Sequence, residues 1–283
     1  MYSLKIETLR ILRCPDGCKD ELTLHSTQNE EQAEVQTGLL ECSRCGNRYP
    51  IEHGIARMLP LSLRTQPANS DVEVQCKQSE MQARDDQAGH YDRIWWLNLF
   101  SRIEIPATLA MLQIQRDDQV LEAGCGTGRM TPDFASRCRR LIAADYSWQS
   151  LLRCRRKVLE KNIRNVDLIQ ADICHLPLAA NSFHRVVSCQ VLEHIPTPES
   201  RDRAVSELAR VSTAGGRIVL SAYQYSIWMR LFNHREGQHD GGIYFYRFTR
   251  KEFQRLLSAK MRVKRITGAL QYHFLAQCAA FEE

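Results

Sequence analysis

The chain has 283 residues, 43% hydrophobic and 25% charged, which excludes a disordered or fibrous protein and allows one large domain or two unequal ones. No stretch approaches the roughly 18 uncharged apolar residues of a membrane helix. Met1 to Cys14 carries Lys5, Glu7, Arg10 and Arg13 instead of an apolar core, so no secretory signal and no membrane partner are expected, and the expected location is cytoplasmic. The net charge of +5 permits a phosphate-bearing partner without requiring one.

Residues 1–60 are punctuated by Cys and Gly. Cys14-Pro-Asp-Gly-Cys18 and Cys42-Ser-Arg-Cys45 are two close pairs separated by 23 residues. Four thiolates at such spacings can fold back as two knuckles around one tetrahedral zinc, and a structural metal would offset the small core of a short segment. Four free buried thiols, or a ribbon that has lost its metal, are the alternatives. The other seven cysteines are scattered and read as reduced, small apolar residues.

Residues 61–87 are polar, rich in Gln and without clear apolar periodicity, and read as a linker. Residues 88–283 are expected to form the second domain. It opens on an aromatic lead-in with Tyr91 and Trp95, then alternates short apolar runs with longer amphipathic ones. Runs at 119–123, 141–145, 167–171, 185–190 and 217–222 predict buried strands. Segments 129–138, 148–161 and 201–211 predict helices. This is an α/β, doubly wound pattern with a mostly parallel sheet. Near the end, Thr249 and Glu252 form a capping box for a helix, and the runs 261–267 and 272–279 are close enough for an antiparallel hairpin but not a parallel crossover.

The sharpest signal is Val120-Leu121-Glu122-Ala123-Gly124-Cys125-Gly126-Thr127-Gly128, a strand running into three alternating glycines and then a helix. Such a loop lets backbone approach a ligand and offers free N–H groups beyond it. Asp145 ends the next strand, 17 residues after Gly128, where a carboxylate can accept both hydroxyls of a ribose. Asp172 follows the third strand at the same carboxyl edge. A dehydrogenase loop would instead space its glycines as Gly-x-Gly-x-x-Gly.

These residues resemble class I S-adenosylmethionine (SAM)-dependent methyltransferases of the methyltransferase type 11 subgroup, over roughly residues 88–280. Glu122 to Gly128, Asp145 to Leu152, Gln170 to Leu178, Val191-Leu-Glu-His-Ile195 and Ala214 to Val219 correspond to its motifs. Phe183-His184 departs from the family's usual Phe-Asp. The resemblance implies a seven-stranded Rossmann-like sheet. It also implies that Gly124, Gly126 and Gly128 line the methionine and ribose, Asp145 holds the ribose, Asp172 accepts from the adenine amino group and the Ile173 N–H reaches a ring nitrogen. Glu122, Cys125, Tyr146 and Gln190 complete the expected cofactor set, and His194 is the candidate general base.

The residues around the cysteine pairs resemble the zinc-ribbon activator subunit of tRNA and protein methyltransferases, which implies Cys14, Cys18, Cys42 and Cys45 as zinc ligands of a built-in accessory domain. The leading function is methyl transfer to a small-molecule acceptor, in a pocket formed by the segment 223–248 with Tyr223, Tyr225, Trp228, His234, His239, Tyr244 and Tyr246. An RNA methyltransferase using Arg153, Arg155 and Arg156 is the alternative, though those arginines also suit a solvated helix face. A non-catalytic binding protein is the third reading. Oligomeric state is left open.

Overall fold

The computed structural model describes residues 2–26, 34–65, 72–91, 95–232, 234–239, 241–269 and 272–281. The N-terminal segment forms an antiparallel meander, β1 (Leu22–Ser26), β2 (Gly38–Cys42), β3 (Arg48–Glu52) and β4 (Ile55–Arg57). Two helices follow, α1 (Val72–Tyr91) and α2 (Trp95–Leu112). Strands and helices then alternate through β5 (Gln119–Ala123), α3 (Thr131–Ala135), β6 (Arg140–Asp145), α4 (Trp148–Glu160) and β7 (Val166–Gln170). They continue as β8 (Phe183–Ser188), α5 (Pro198–Val211) and β9 (Ser212–Tyr223). The chain closes with α6 (Arg250–Ser258), β10 (Arg262–Ala269) and β11 (His273–Ala279).

One mixed sheet runs in the order β10-β11-β9-β8-β5-β6-β7-β4-β3-β2-β1. It has eleven strands, where the sequence leads one to expect seven and a separate small domain. The difference lies at the outer edge of β7. Ala56 and Arg57 of β4 pair in parallel with Ile169 and Gln170, and the Met58 N–H donates to the Gln170 carbonyl at 2.7 Å. An open sheet edge is a template for pairing, and the N-terminal meander occupies it.

A buried ionic cluster fastens the same segment. Asp167, fully buried in β7, accepts from the Thr8 hydroxyl at 2.7 Å, the Lys5 N–H at 3.1 Å and the Arg140 Nε at 3.2 Å. Loss of the first ten residues would remove two of its hydrogen-bond donors and leave this buried carboxylate on Arg140.

The segment read as a linker is also corrected. Most of it is helix α1, whose acid-then-base pairs Glu73–Lys77 and Glu80–Arg84 lie at i,i+4 with 3.3 and 3.4 Å separations. It carries no apolar stripe because polar contacts hold it. Asp85 Oδ1 accepts from the Gln149 N–H at 3.0 Å and from the Ser147 hydroxyl, at the start of α4. The capping box of α6 forms as expected, with the Thr249 N–H donating to Glu252 Oε2 at 2.8 Å and the Glu252 N–H donating back to Thr249 Oγ1.

Within the sheet β5 has β6 on one side and β8 on the other, so consecutive crossovers diverge there. The carboxyl ends of β5 and β8 therefore open a crevice, the place where open α/β sheets bind ligands.

Candidate functional site

The glycine loop forms the floor of a cavity in that crevice. Gly124, Gly126 and Gly128 all have positive φ, +83°, +53° and +79°. A Cβ on Gly124 would stand 2.2 Å from Val191 Cγ2, and one on Gly128 would stand 2.6 Å from Cys154 Sγ. Gly124 thus lets the loop abut the turn after β8, and Gly128 lets it abut α4. Gly128 packs behind the loop and is not part of the cavity wall, unlike the expectation that it lines the ligand.

Glu122, Gly124, Cys125, Gly126, Asp145, Tyr146, Asp172, Ile173, Gln190 and His194, spread over 73 positions of sequence, all line this one cavity. Asp145 Oδ2 accepts the Gly126 N–H at 2.8 Å and Oδ1 accepts the Ser147 N–H at 2.9 Å. Burial raises the Asp145 pKa despite these bonds. Each oxygen keeps lone-pair capacity for a second donor. Glu122 is different. Burial pushes it up to about 8, against a 2.6 Å hydrogen bond from the Thr131 hydroxyl, so at neutral pH it is mostly an uncharged acid.

Asp172 is almost fully buried and heavily engaged. Oδ1 accepts the Cys174 N–H at 3.0 Å, while Oδ2 takes Lys77 Nζ at 2.7 Å and His175 Nδ1 at 3.0 Å. Burial opposes its charge, but the His175 hydrogen bond and the Lys77 ammonium hold its pKa well below the usual carboxylate range.

Lys77 was not among the expected site residues, and it does not stand alone. Lys77, Glu80, Arg84, Gln87 and Ala88 place one face of α1 against the cavity. A second group joins α2 to the far wall. Glu104 Oε2 accepts from Arg129 Nη2 at 2.8 Å and from the Gln190 side-chain amide at 2.6 Å. The Gln190 N–H donates to Ser221 Oγ at 3.0 Å. The spacing Glu73–Lys77 and Glu80–Arg84 was the one signal in the sequence that could have exposed α1.

His194 follows β8 in a short 3-10 turn, Leu192–His194. Its Nδ1–H donates to the Tyr244 carbonyl at 2.7 Å, which leaves Nε2 as the lone-pair nitrogen. Burial, reinforced by Arg84, lowers its pKa well below the ordinary histidine value, so the ring is neutral. Next to it Glu193 is fully buried, and among the described residues neither carboxyl oxygen has a side-chain or backbone hydrogen-bond partner within range. Burial pushes Glu193 up to about 8.

The segment after β9 builds the wall beyond His194. Its ring lies 5.6 Å from Tyr223 and 6.0 Å from His239, and Tyr223 contacts Tyr272 and His273 at 5.6 and 5.1 Å. Of the aromatic residues expected in a pocket, Tyr223 and His239 join this cluster. Trp228 does not; it is 61% exposed. The side chains of Tyr91 and Trp95, in the aromatic lead-in, lie outside the described residues.

Outside the cavity lining, the sulfur atoms of Cys14, Cys18, Cys42 and Cys45 all lie within 4.8 Å of one another. Three of the separations are 3.7, 3.5 and 3.9 Å. The four thiols are unpaired by disulfides.

Residues 121–220 match the methyltransferase domain family. The match starts in β5 and ends in β9, so it takes in the glycine loop, Asp145, Asp172, Gln190 and His194. It leaves out the N-terminal meander and the aromatic segment. The chain is 30% identical over 119 residues to demethylmenaquinone methyltransferase of Thermobifida fusca, covering 42% of this chain and 49% of that one. It is 37% identical over 106 residues to phosphatidylethanolamine N-methyltransferase of Cereibacter sphaeroides, covering 37% and 50%. The chain thus spans about half the length of the curated relatives it matches. The fold is also that of the N-methyltransferase NodS from Bradyrhizobium japonicum, crystallised with S-adenosyl-l-homocysteine, at TM-score 0.52 and 18% identity over 64% of this chain and 87% of that one. The methyltransferase segment therefore holds the crevice side of the site, and the residues outside it supply the opposite wall.

Proposed function

We propose that the protein is a SAM-dependent methyltransferase that transfers the methyl group to a small-molecule acceptor. One observation carries this reading: the glycine loop, Asp145 and the Asp172–Ile173 segment meet in a single cavity within the matched methyltransferase segment. When bound, SAM supplies an activated sulfonium methyl. The residues present suit such a molecule. Gly126, with nothing within 4 Å of a notional Cβ, leaves backbone open to the ligand, and Asp145 has spare acceptor capacity for ribose hydroxyls. Asp172, with Oδ1 bonded only to the Cys174 N–H, can accept from an adenine amino group beside Ile173.

The chain's own contribution is positioning. Helix α1 covers the cavity, and Gln190 is fixed by Glu104 and Ser221. His194 Nε2 can accept a proton from an acceptor that must lose one, while Nδ1–H stays anchored on Tyr244. The relatives whose names give demethylmenaquinone and phosphatidylethanolamine as substrates support a small, largely apolar acceptor. The RNA reading is weaker, because Arg155 is spent on the N-terminal segment: its Nε donates to the His53 carbonyl at 2.9 Å and its guanidinium lies 5.6 Å from the Tyr2 ring.

Zinc at Cys14, Cys18, Cys42 and Cys45 belongs to the same proposal. A tetrahedron with Zn–S of about 2.3 Å has S···S edges of about 3.8 Å, close to the separations present. Four thiolates fill the coordination shell, so this ion would be structural and residues 1–60 an accessory unit.

Isothermal titration with SAM and S-adenosylhomocysteine tests the main reading. Asp145→Ala is expected to weaken both by at least about tenfold, roughly 1.4 kcal/mol. No heat with the wild type, or equal affinity in the variant, would overturn it.

A further inference from the structure

The segment between β9 and α6 leaves four large apolar side chains in water. Ile227, Trp228, Leu231 and Phe232 are 68%, 61%, 71% and 80% exposed. They stand at i, i+1, i+4 and i+5 along the single turn Ile227–Leu231 and its next residue, which places them on one side. The rest of the segment packs well: Ile243, Phe245 and Phe248 are 2 to 3% exposed. Failure of the segment to fold therefore does not explain this turn, and an exposed apolar patch marks a contact surface.

Charge and position narrow what it contacts. Arg230 on the same turn is exposed, no carboxylate pairs with it among the described residues, and exposed His234 lies close by in sequence. Of the four arginines in residues 223–250, Arg230 and Arg250 are exposed, whereas Arg247 is buried and Arg235 is paired with Glu252. The turn begins four residues after Tyr223, whose ring is 5.6 Å from the cavity-lining His194. Strand β9 runs parallel to β8, so the turn leaves the sheet at the same carboxyl edge as the cavity.

We propose that this turn is an interfacial anchor that seats the mouth of the site on an anionic lipid surface, so that the acceptor is an amphiphile drawn from that surface. The second half rests on the methyl-transfer reading above; the anchor does not. Trp, Phe and Leu beside Arg is the composition of a segment lying at a lipid–water boundary. A second copy of the chain fits poorly. One turn offers far less than the roughly 800 Å² per partner of a stable interface. Among the described residues no helix is long and apolar enough to cross a membrane, which does not bear on a turn that lies on the surface.

Flotation with vesicles of phosphatidylcholine and phosphatidylglycerol tests it. The wild type is expected to float, and a triple variant, Trp228→Asp with Leu231→Asp and Phe232→Asp, to lose about tenfold or more in binding. Arg230→Glu, added salt or vesicles of phosphatidylcholine alone are expected to weaken binding several-fold. These positions are exposed, so the variants keep the wild-type melting temperature. Equal flotation of wild type and triple variant would overturn the anchor, as would a wild type that never floats. So would a wild-type dimer, seen by light scattering, that the triple variant splits. SAM titration on the same samples separates the two readings. Binding of SAM without flotation sinks the anchor alone, and flotation without SAM binding supports the anchor and sinks methyl transfer.

Discussion

Lys77 Nζ lies 2.7 Å from Asp172 Oδ2, so the helix covering the cavity is tied by an ion pair to the carboxylate that follows the third strand of the glycine-loop domain. Both partners are buried. Burial alone would push Lys77 toward its neutral form, and the Asp172 charge reverses that and holds its pKa above the usual lysine value.

Lys77→Met leaves the buried Asp172 carboxylate with the Cys174 N–H and His175 as its hydrogen-bond partners and is expected to cost about 3 kcal/mol. The Asp172 pKa is depressed in the folded state, so the pair stabilises at neutral pH and its contribution is lost as pH falls below the unfolded value of about 4. Thermal unfolding of wild type and variant from pH 3 to 7 checks this. The gap between them should close toward acid, and a gap independent of pH would contradict it.

Glu193 makes the opposite prediction. Its folded pKa of about 8 means that between about 4.3 and 8 the folded state holds a proton the unfolded chain has lost. Stability therefore falls as pH rises through that window, and Glu122 adds to the fall in the same direction. Glu193→Gln is expected to shrink the drop in melting temperature between pH 5 and 8. An unchanged profile would remove the assignment.

The glycine loop should be unequal in its tolerance. Gly124→Ala forces a Cβ into Val191 as well as straining φ, and is expected to destabilise by more than about 2 kcal/mol. Gly126→Ala meets no atom within 4 Å and should cost only the backbone strain, about 1 kcal/mol. Val191→Ala should recover part of the Gly124→Ala loss and none of the other. Denaturant titration of the wild type, the three single variants and the two double variants settles the comparison.

Metal analysis should find one zinc per chain. Chelation, or Cys42→Ser, should lower the melting temperature of the whole protein in one transition, because the meander shares its sheet with β7 and its buried cluster at Asp167. Two separate transitions, with the second unmoved, would show that the two parts are independent.

Much of the site was legible in the sequence because its residues sit at strand ends. Gly124, Gly126, Asp145 and Asp172 follow short apolar runs, and strand, loop and helix periodicities put such positions at one carboxyl edge without any knowledge of packing. The same local logic exposed the capping box at Thr249 and the cysteine spacing. These features are encoded within about ten residues of chain, where backbone sterics and hydrogen bonding dominate.

The remainder needed contacts distant in sequence. No periodicity in residues 72–91 announces a helix, because Lys77 pairs with Asp172 and Asp85 with the start of α4, and charged partners leave no apolar stripe. Nor does anything in Ile55–Arg57 show which edge it joins, since an edge becomes available only when β7 has formed and stopped. Trp228 reads like its aromatic neighbours and yet stands in water, because whether a side chain is covered depends on what folds over it. Local chemistry wrote the cavity-facing strand ends, and the assembled chain alone determined what closes over them and what is left exposed.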